Sequence, residues 1–197
     1  MPRILHITDL HCNIENTVEV LSREEYDIIA VTGDLECIKE AHIIYESGRK
    51  VFFVPGNMDS PHIVRTMNQL GLSVDGLLSS FNGLTIGGIG GLSVIDSMKR
   101  LEESIRESHK DIDVLLSHHP PRGVADLTIF GIHVGSTPLR EFIEKHEPRL
   151  HLCGHIHEAR GVYEFGNTIV VNPGPLKDGY YALIDIGDKT YVRLEKI

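Results

Sequence analysis

Short apolar runs alternate with helical patterns through the first half of the chain. Residues 3–8, 27–32 and 50–55 read as buried strands. Between them lie helical stretches at 14–23 and 36–47, and a third helix starts at Ser60. In the first helix Val18 and Leu21 are expected to face inward. The third start is strongly marked. Ser60 can cap, Pro61 suits the first turn, and Ile63, Val64 and Met67 supply an apolar face. Strands alternating with helices imply a parallel sheet with crossover helices.

From Gly71 the pattern changes. Short β-prone pieces are punctuated by Asn82-Gly83 and two Gly-Gly pairs, and no GxGxxG opens a helix. A helix is expected at 96–108, a strand at 113–116 and a long loop at 120–135. Ser136 can cap a further helix, with Pro138 in its first turn and Leu139, Phe142 and Ile143 facing inward. Strands follow at 150–153, 161–165, 168–172, 180–186 and 190–195, with turns at Gly166-Asn167 and Gly187-Asp188. Two sheets packed face to face, with helices outside, satisfy this mixture better than one open sheet. The 197 residues read as a single domain.

Composition narrows the functions. At 41% apolar and 24% charged the chain is an ordinary globular sequence. No apolar run approaches the roughly 18 residues that span a bilayer, and no leader pattern precedes the first strand. A net charge of −9 without a basic cluster argues against broad nucleic-acid or membrane binding. It leaves small phosphate compounds open, nucleotides included, because bound cations would supply local positive charge. The three cysteines, Cys12, Cys37 and Cys153, are expected to be reduced thiols in a cytoplasmic protein. The oligomeric state is not readable.

The strongest signal sits where the strands end. Five apolar runs terminate in polar ligand types: Asp9 and His11, Asp34, Asn57, His118, then His155 and His157. An isolated Asp at a strand end ordinarily caps a turn, and an isolated His is ordinarily packed. Seven such side chains at five strand ends point instead to one site at a sheet edge. Asp and His together suit borderline divalent metals, Mn first, with Fe, Ni, Zn or Co also possible. Asp9, His11, Asp34 and His157 could surround one ion, and Asp34, Asn57, His118 and His155 a second. Asp34 would bridge the two. Such a pair activates a shared water as hydroxide, the expected nucleophile, and neutralises phosphate oxygens. Six further histidines, His6, His42, His62, His109, His146 and His151, lie in strand or helix patterns without a ligand motif.

Asp9-Leu10-His11, Gly33-Asp34, Gly56-Asn57, His118 and Gly154-His155-Ile156-His157 resemble, in order, the signature blocks of calcineurin-like metallophosphoesterases. The resemblance runs from residue 3 to about 185 and includes the loop Asn172-Pro173-Gly174. It implies a four-layer αββα sandwich, two mixed β-sheets flanked by helices, and the ligand division given above. It looks closest to the small single-domain phosphodiesterases. Most of the family has His after Gly-Asn, where it contacts phosphate and protonates the leaving group. This chain has Met58, which cannot donate a proton. His119 and His133 are the candidates for that role. His119 adjoins a ligand, although neighbours in extended chain point oppositely. His133 precedes a helix start, where backbone N–H groups favour anions. The implied function is hydrolysis of a phosphate ester, diesters before monoesters. The alternative is a catalytically weak scaffold or interaction module of the same fold, as a subunit of the retromer coat is.

Overall fold

The computed structural model describes residues 1–197. In chain order it holds β1 (Arg3–Ile7), α1 (Ile14–Arg23), β2 (Ile28–Val31), α2 (Ile38–Glu46), β3 (Lys50–Phe53) and α3 (Pro61–Gln69). Then come β4 (Leu78–Phe81), β5 (Leu84–Ile89), α4 (Val94–Ser108), β6 (Val114–Ser117), α5 (Thr137–His146) and β7 (Leu150–Leu152). The last four strands are β8 (Gly161–Phe165), β9 (Thr168–Asn172), β10 (Tyr180–Ile186) and β11 (Thr190–Lys196). They form a five-stranded sheet, β11-β10-β1-β2-β3, and a six-stranded sheet, β4-β5-β6-β7-β9-β8. Within these, β1, β2 and β3 are parallel, as are β5, β6, β7 and β9, whereas β4, β8, β10 and β11 run antiparallel to their neighbours.

Side-chain alternation along the strands sorts the core into three layers. Ile4, Ala30, Phe52, Val114, Leu116 and Ile184 belong to the cluster between the sheets. The other faces of β1 and β2, through Leu5, Ile7 and Val31, pack with Val20, Ile44, Ile63 and Met67 from α1, α2 and α3. On the opposite side Ile89 and Leu115 pack with Leu101 of α4 and Leu139, Phe142 and Ile143 of α5. Helices, sheet, sheet and helices are the four layers expected.

Local differences have local causes. The helix expected from residue 36 starts at Ile38, because Glu36 takes φ +65° in the loop before it. In α1 the buried positions are Thr17 and Val20, Leu21 packs partly buried beside them and Val18 is exposed, so the expected inward face is shifted by one residue, roughly a quarter of a turn. The caps behave as their chemistry predicts. Ser60 accepts from the Ile63 N–H and Ser136 from the Leu139 N–H. No helix is long and apolar enough to cross a membrane.

Candidate metal centre

All seven expected ligand side chains follow the C-terminal ends of β1, β2, β3, β6 and β7, the usual edge for a site in an α/β fold. The loops are tightly shaped. Asp9, His11, Cys12, Asp34, Glu36 and His155 all have positive φ, an arrangement non-glycine residues adopt where the surroundings enforce it. Three backbone hydrogen bonds zip the loop after β1 to the loop after β2: Asp9 N–H to Gly33, His11 N–H to Asp34 and Cys12 N–H to Leu35. Gly154 must be glycine, since a Cβ there would run into the Thr8 hydroxyl and the Asp9 carboxylate.

Two of the imidazoles have their tautomers set by a partner that can only accept. His11 Nδ1 lies 2.7 Å from Glu36 Oε1, and His118 Nδ1 lies 2.7 Å from the Thr32 carbonyl. Each Nδ1 therefore carries the hydrogen and each Nε2 presents a lone pair. His11 Nε2 is buried and has no hydrogen-bond partner. Around His118 Nε2 stand Asn57 Oδ1 at 2.9 Å, His155 Nδ1 at 3.2 Å and Asp34 Oδ2 at 3.4 Å. His157 Nε2 is 3.2 Å from Asp9 Oδ1. Asp9, His11 and His157 form one group with donor atoms close enough to share a cation, and Asp9, Asp34 and His118 form another. Lone pairs converging in this way require a proton or a cation among them, so the donor set fits divalent metal.

The local fields favour the ligand forms of Asp9 and His155. Burial pushes the Asp9 carboxyl up, but the His157 hydrogen bond, the charges of His118 and His157 and the His155 N–H outweigh it and hold it near 2. Burial lowers His155 to about 4, helped by His119 and His118, which leaves a neutral, coordinating ring. Asp34 is raised by burial, against the opposing pull of His118 and the Met58 N–H.

A second set of residues holds the first. Asp59 is buried, and its carboxylate accepts from the N–H groups of Asp34, Leu35, Glu36 and Gly56 at 2.8–3.1 Å. It ties the loop carrying Asp34 to the loop carrying Asn57. Asp9 Oδ2 accepts from the Thr8 hydroxyl and the His155 N–H, so it spans the two sheets. Asn172 donates to the Ile156 carbonyl between the two late histidines.

His119 does not point away from the site. Its ring lies 4.3 Å from that of His155 and 5.3 Å from that of His118, and its Nε2 is 3.3 Å from the Gly91 carbonyl. Strand β6 ends at Ser117, so strict alternation no longer applies one residue past His118. His133 is half exposed on the loop before α5, with Nδ1 2.6 Å from Asp126 Oδ1. Asp126 in turn accepts from the N–H groups of Gly123 and Gly135. His6 and His151 are buried in hydrogen bonds to Thr32 and Ser117, and burial holds both near 3.

The expectation of three reduced thiols is corrected. Cys12 and Cys37 form a disulfide, and only Cys153 is free. The zipped loops after β1 and β2 bring the two Cα atoms to 5.4 Å, a juxtaposition that a separation of 25 residues does not announce. Thr32, Glu36 and Asp126 were also missed in the sequence: the first two act on partners 86 and 25 positions away, and Asp126 grips its own loop, whose shape no local pattern announces. Glu36 carried one usable signal, an acidic residue two positions after a ligand.

A family model described as calcineurin-like phosphoesterase matches residues 2–159. An uncharacterized protein of Methanocaldococcus jannaschii is 32% identical, the match covering 88% of each chain. Among solved structures, a protein of Thermus thermophilus superposes with a TM-score of 0.79 at 20% identity, over 99% of this chain and 98% of that one. A protein described as a novel archaeal phosphodiesterase superposes with a TM-score of 0.66 at 14% identity, over 99% of both. At these identities the structural likenesses speak to fold alone.

Proposed function

The chain belongs to the calcineurin-like phosphoesterase family, and on that premise we propose that it is a two-metal phosphodiesterase. The observation that carries this reading is the convergence of Asn57, His155 and Asp34 donor atoms on His118 Nε2, beside the buried, unpartnered Nε2 of His11. Bound there, two divalent ions would lower the pKa of a shared water and neutralise phosphate oxygens. Manganese is the first choice, with Fe, Ni, Zn or Co as alternatives. Asp9, His11, Asp34 and His157 would hold one ion, and Asp34, Asn57, His118 and His155 the other. Asp34 is the better bridge. Asp9 Oδ2 already accepts two hydrogen bonds, whereas Asp34 Oδ1 accepts one, from the Met58 N–H. Wild type should bind two ions per chain, and Asp34→Asn should weaken both. Elemental analysis showing full occupancy in Asp34→Asn would remove the bridge from the proposal.

The diester preference rests on Met58, whose thioether cannot protonate a departing oxygen. General acid catalysis is typically worth about 10²–10⁴-fold. Activated diesters should therefore be hydrolysed, with rates falling steeply as leaving-group pKa rises, and Met58→His should flatten that fall. The test is turnover of phosphomonoesters, cyclic nucleotides and linear diesters at matched metal content. A flat plot for wild type would mean that His133 or His119 already supplies the proton. Of the two, His133 has its Nδ1 held by Asp126, which turns Nε2 outward. His133→Ala and His119→Ala would then separate them. A scaffold of the same fold is the second reading, but no observation at the site favours it over an enzyme.

A further inference from the structure

Three loops at the rim of the metal centre each present large apolar side chains to solvent. Met58 follows Asn57 and is 57% exposed. Leu92 is 50% exposed and follows Gly91, whose Cα sits so close to the site that a Cβ would touch the His118 ring and the Asn57 amide. On the far side, Ile129 and Phe130 are 77% and 81% exposed at the tip of the loop before α5. That tip is tethered to the centre, because the Ile129 N–H donates to the carboxylate of Glu158, the residue after His157. Two grooves run outward from these rims. One, of about 550 Å³, has Val64 and Leu92 as its apolar wall with Arg65, Asn68 and Gln69 lining the rest, and the other, of about 310 Å³, has Val124, Leu127 and Tyr163 with Asp126, His133 and Glu164 at its edge.

Arg65 lines the first groove, but the charges that stand beside the ligands themselves are mostly of the wrong sign for a polyanion. Glu36 and Glu158 stand beside the ligands they adjoin, and Lys177 is the cation whose field reaches His157. A nucleoside polyphosphate would meet carboxylates around a small cationic centre. A diester brings a single negative charge and two ester substituents, and the exposed side chains of Met58, Leu92, Ile129 and Phe130 on the loops that adjoin the ligands offer apolar surface for them.

Resting on the phosphodiesterase reading above, we propose that the substrate class is a monoanionic phosphodiester with bulky apolar alkyl, acyl or aryl substituents. Met58 and Leu92 would receive one arm, and Ile129, Phe130 and Leu127 the other. The centre takes the phosphate, and the rim selects by apolar area removed from water.

The experiment is a series of alkyl 4-nitrophenyl phosphates from methyl to octyl, kept below their micelle-forming concentrations, with manganese matched. Removing a methylene from water fully is worth a factor of about four. In wild type kcat/KM should rise about two- to fourfold per added methylene before levelling off. Leu92→Ser and Phe130→Ser change exposed positions and should fold. Each should lower that slope, and the double variant should lower it further. Tyr191→Ser, an exposed apolar change on β11 away from the rim, should leave the slope unaltered. Turnover of the methyl ester without any dependence on chain length overturns the substrate class and leaves the phosphodiesterase reading standing. No turnover of any diester by metal-loaded protein overturns the phosphodiesterase reading and this inference with it.

Discussion

Glu40 shows how much one buried side chain can set the behaviour of this protein. It sits in the first turn of α2, fully buried, with Oε1 accepting from the Thr17 hydroxyl and Oε2 without a partner. Burial is the dominant cause of its rise from 4.5 to about 7, with Thr17 opposing and nearby acidic charge adding. A carboxyl raised on folding binds its proton more tightly in the native state. Its contribution to stability is present in full below about pH 4.5 and is lost as pH rises to about 7. The loss is at most on the order of 3 kcal/mol. Wild type should therefore lose stability between pH 4.5 and 7 relative to Glu40→Gln, whose amide does not titrate. Denaturant midpoints for both proteins at pH 5 and pH 8 check this. Parallel pH profiles would mean that folding does not raise the Glu40 pKa and that it is ionised across the range in both states. Asp59 makes the complementary point. Four backbone N–H groups converge on its carboxylate, so its burial serves to fix the geometry of two loops.

At the scale of elements, the strands carry the ligands but the loops aim them. The loop after β1 and the loop after β2 are joined by three backbone hydrogen bonds, by Glu36 to His11 and by the Cys12–Cys37 disulfide. The cross-link closes a segment with a sequence separation of 25 and should add about 3–4 kcal/mol by restricting the unfolded chain. Cys37→Ser should lower the unfolding free energy, read from denaturant titrations, by that amount without reductant, and adding reductant should bring wild type down to the variant. Cys12 is exposed and Cys37 half-buried, so a dithiol can reach the bond. Thiol trapping during cell lysis reads whether the pair is oxidised in the cell. Cys153 is inert by comparison, since burial drives its thiol pKa upward, with Asp9 and Asp126 adding to the effect.

Across the whole molecule, the metal centre is the seam between the two sheets. Asp9, His11, Asp34 and Asn57 come from the five-stranded sheet, and His118, His155 and His157 from the six-stranded one. An ion held by both therefore binds the native state and not the unfolded one. At free metal about 100-fold above Kd, each site adds about 2.7 kcal/mol. For a chain of this size that raises Tm by about 5–10 °C. Melting curves with manganese and with a chelator should show the shift, and His157→Ala should lose much of it. An unchanged Tm with metal in excess would mean that no ion bridges the sheets.

Much of this was written in the chain itself. Fully apolar runs and capped amphipathic helices are local signals, so the strand order in sequence, the Ser60 and Ser136 caps and the two-sheet layering were all legible. The seven donor types at strand ends were legible too, because parallel strands bring their C-terminal ends to one edge whatever the loops do. What the sequence could not decide depends on contacts between distant residues. The placement of β10 beside β1, the pairing of Cys12 with Cys37, the turn of His119 toward His155 and the grip of Asp59 on two loops follow from packing two sheets together. Local pattern reports the free energy of a segment against water. The orientation of each donor is set by hydrogen bonds that exist only once both sheets have closed on their shared core.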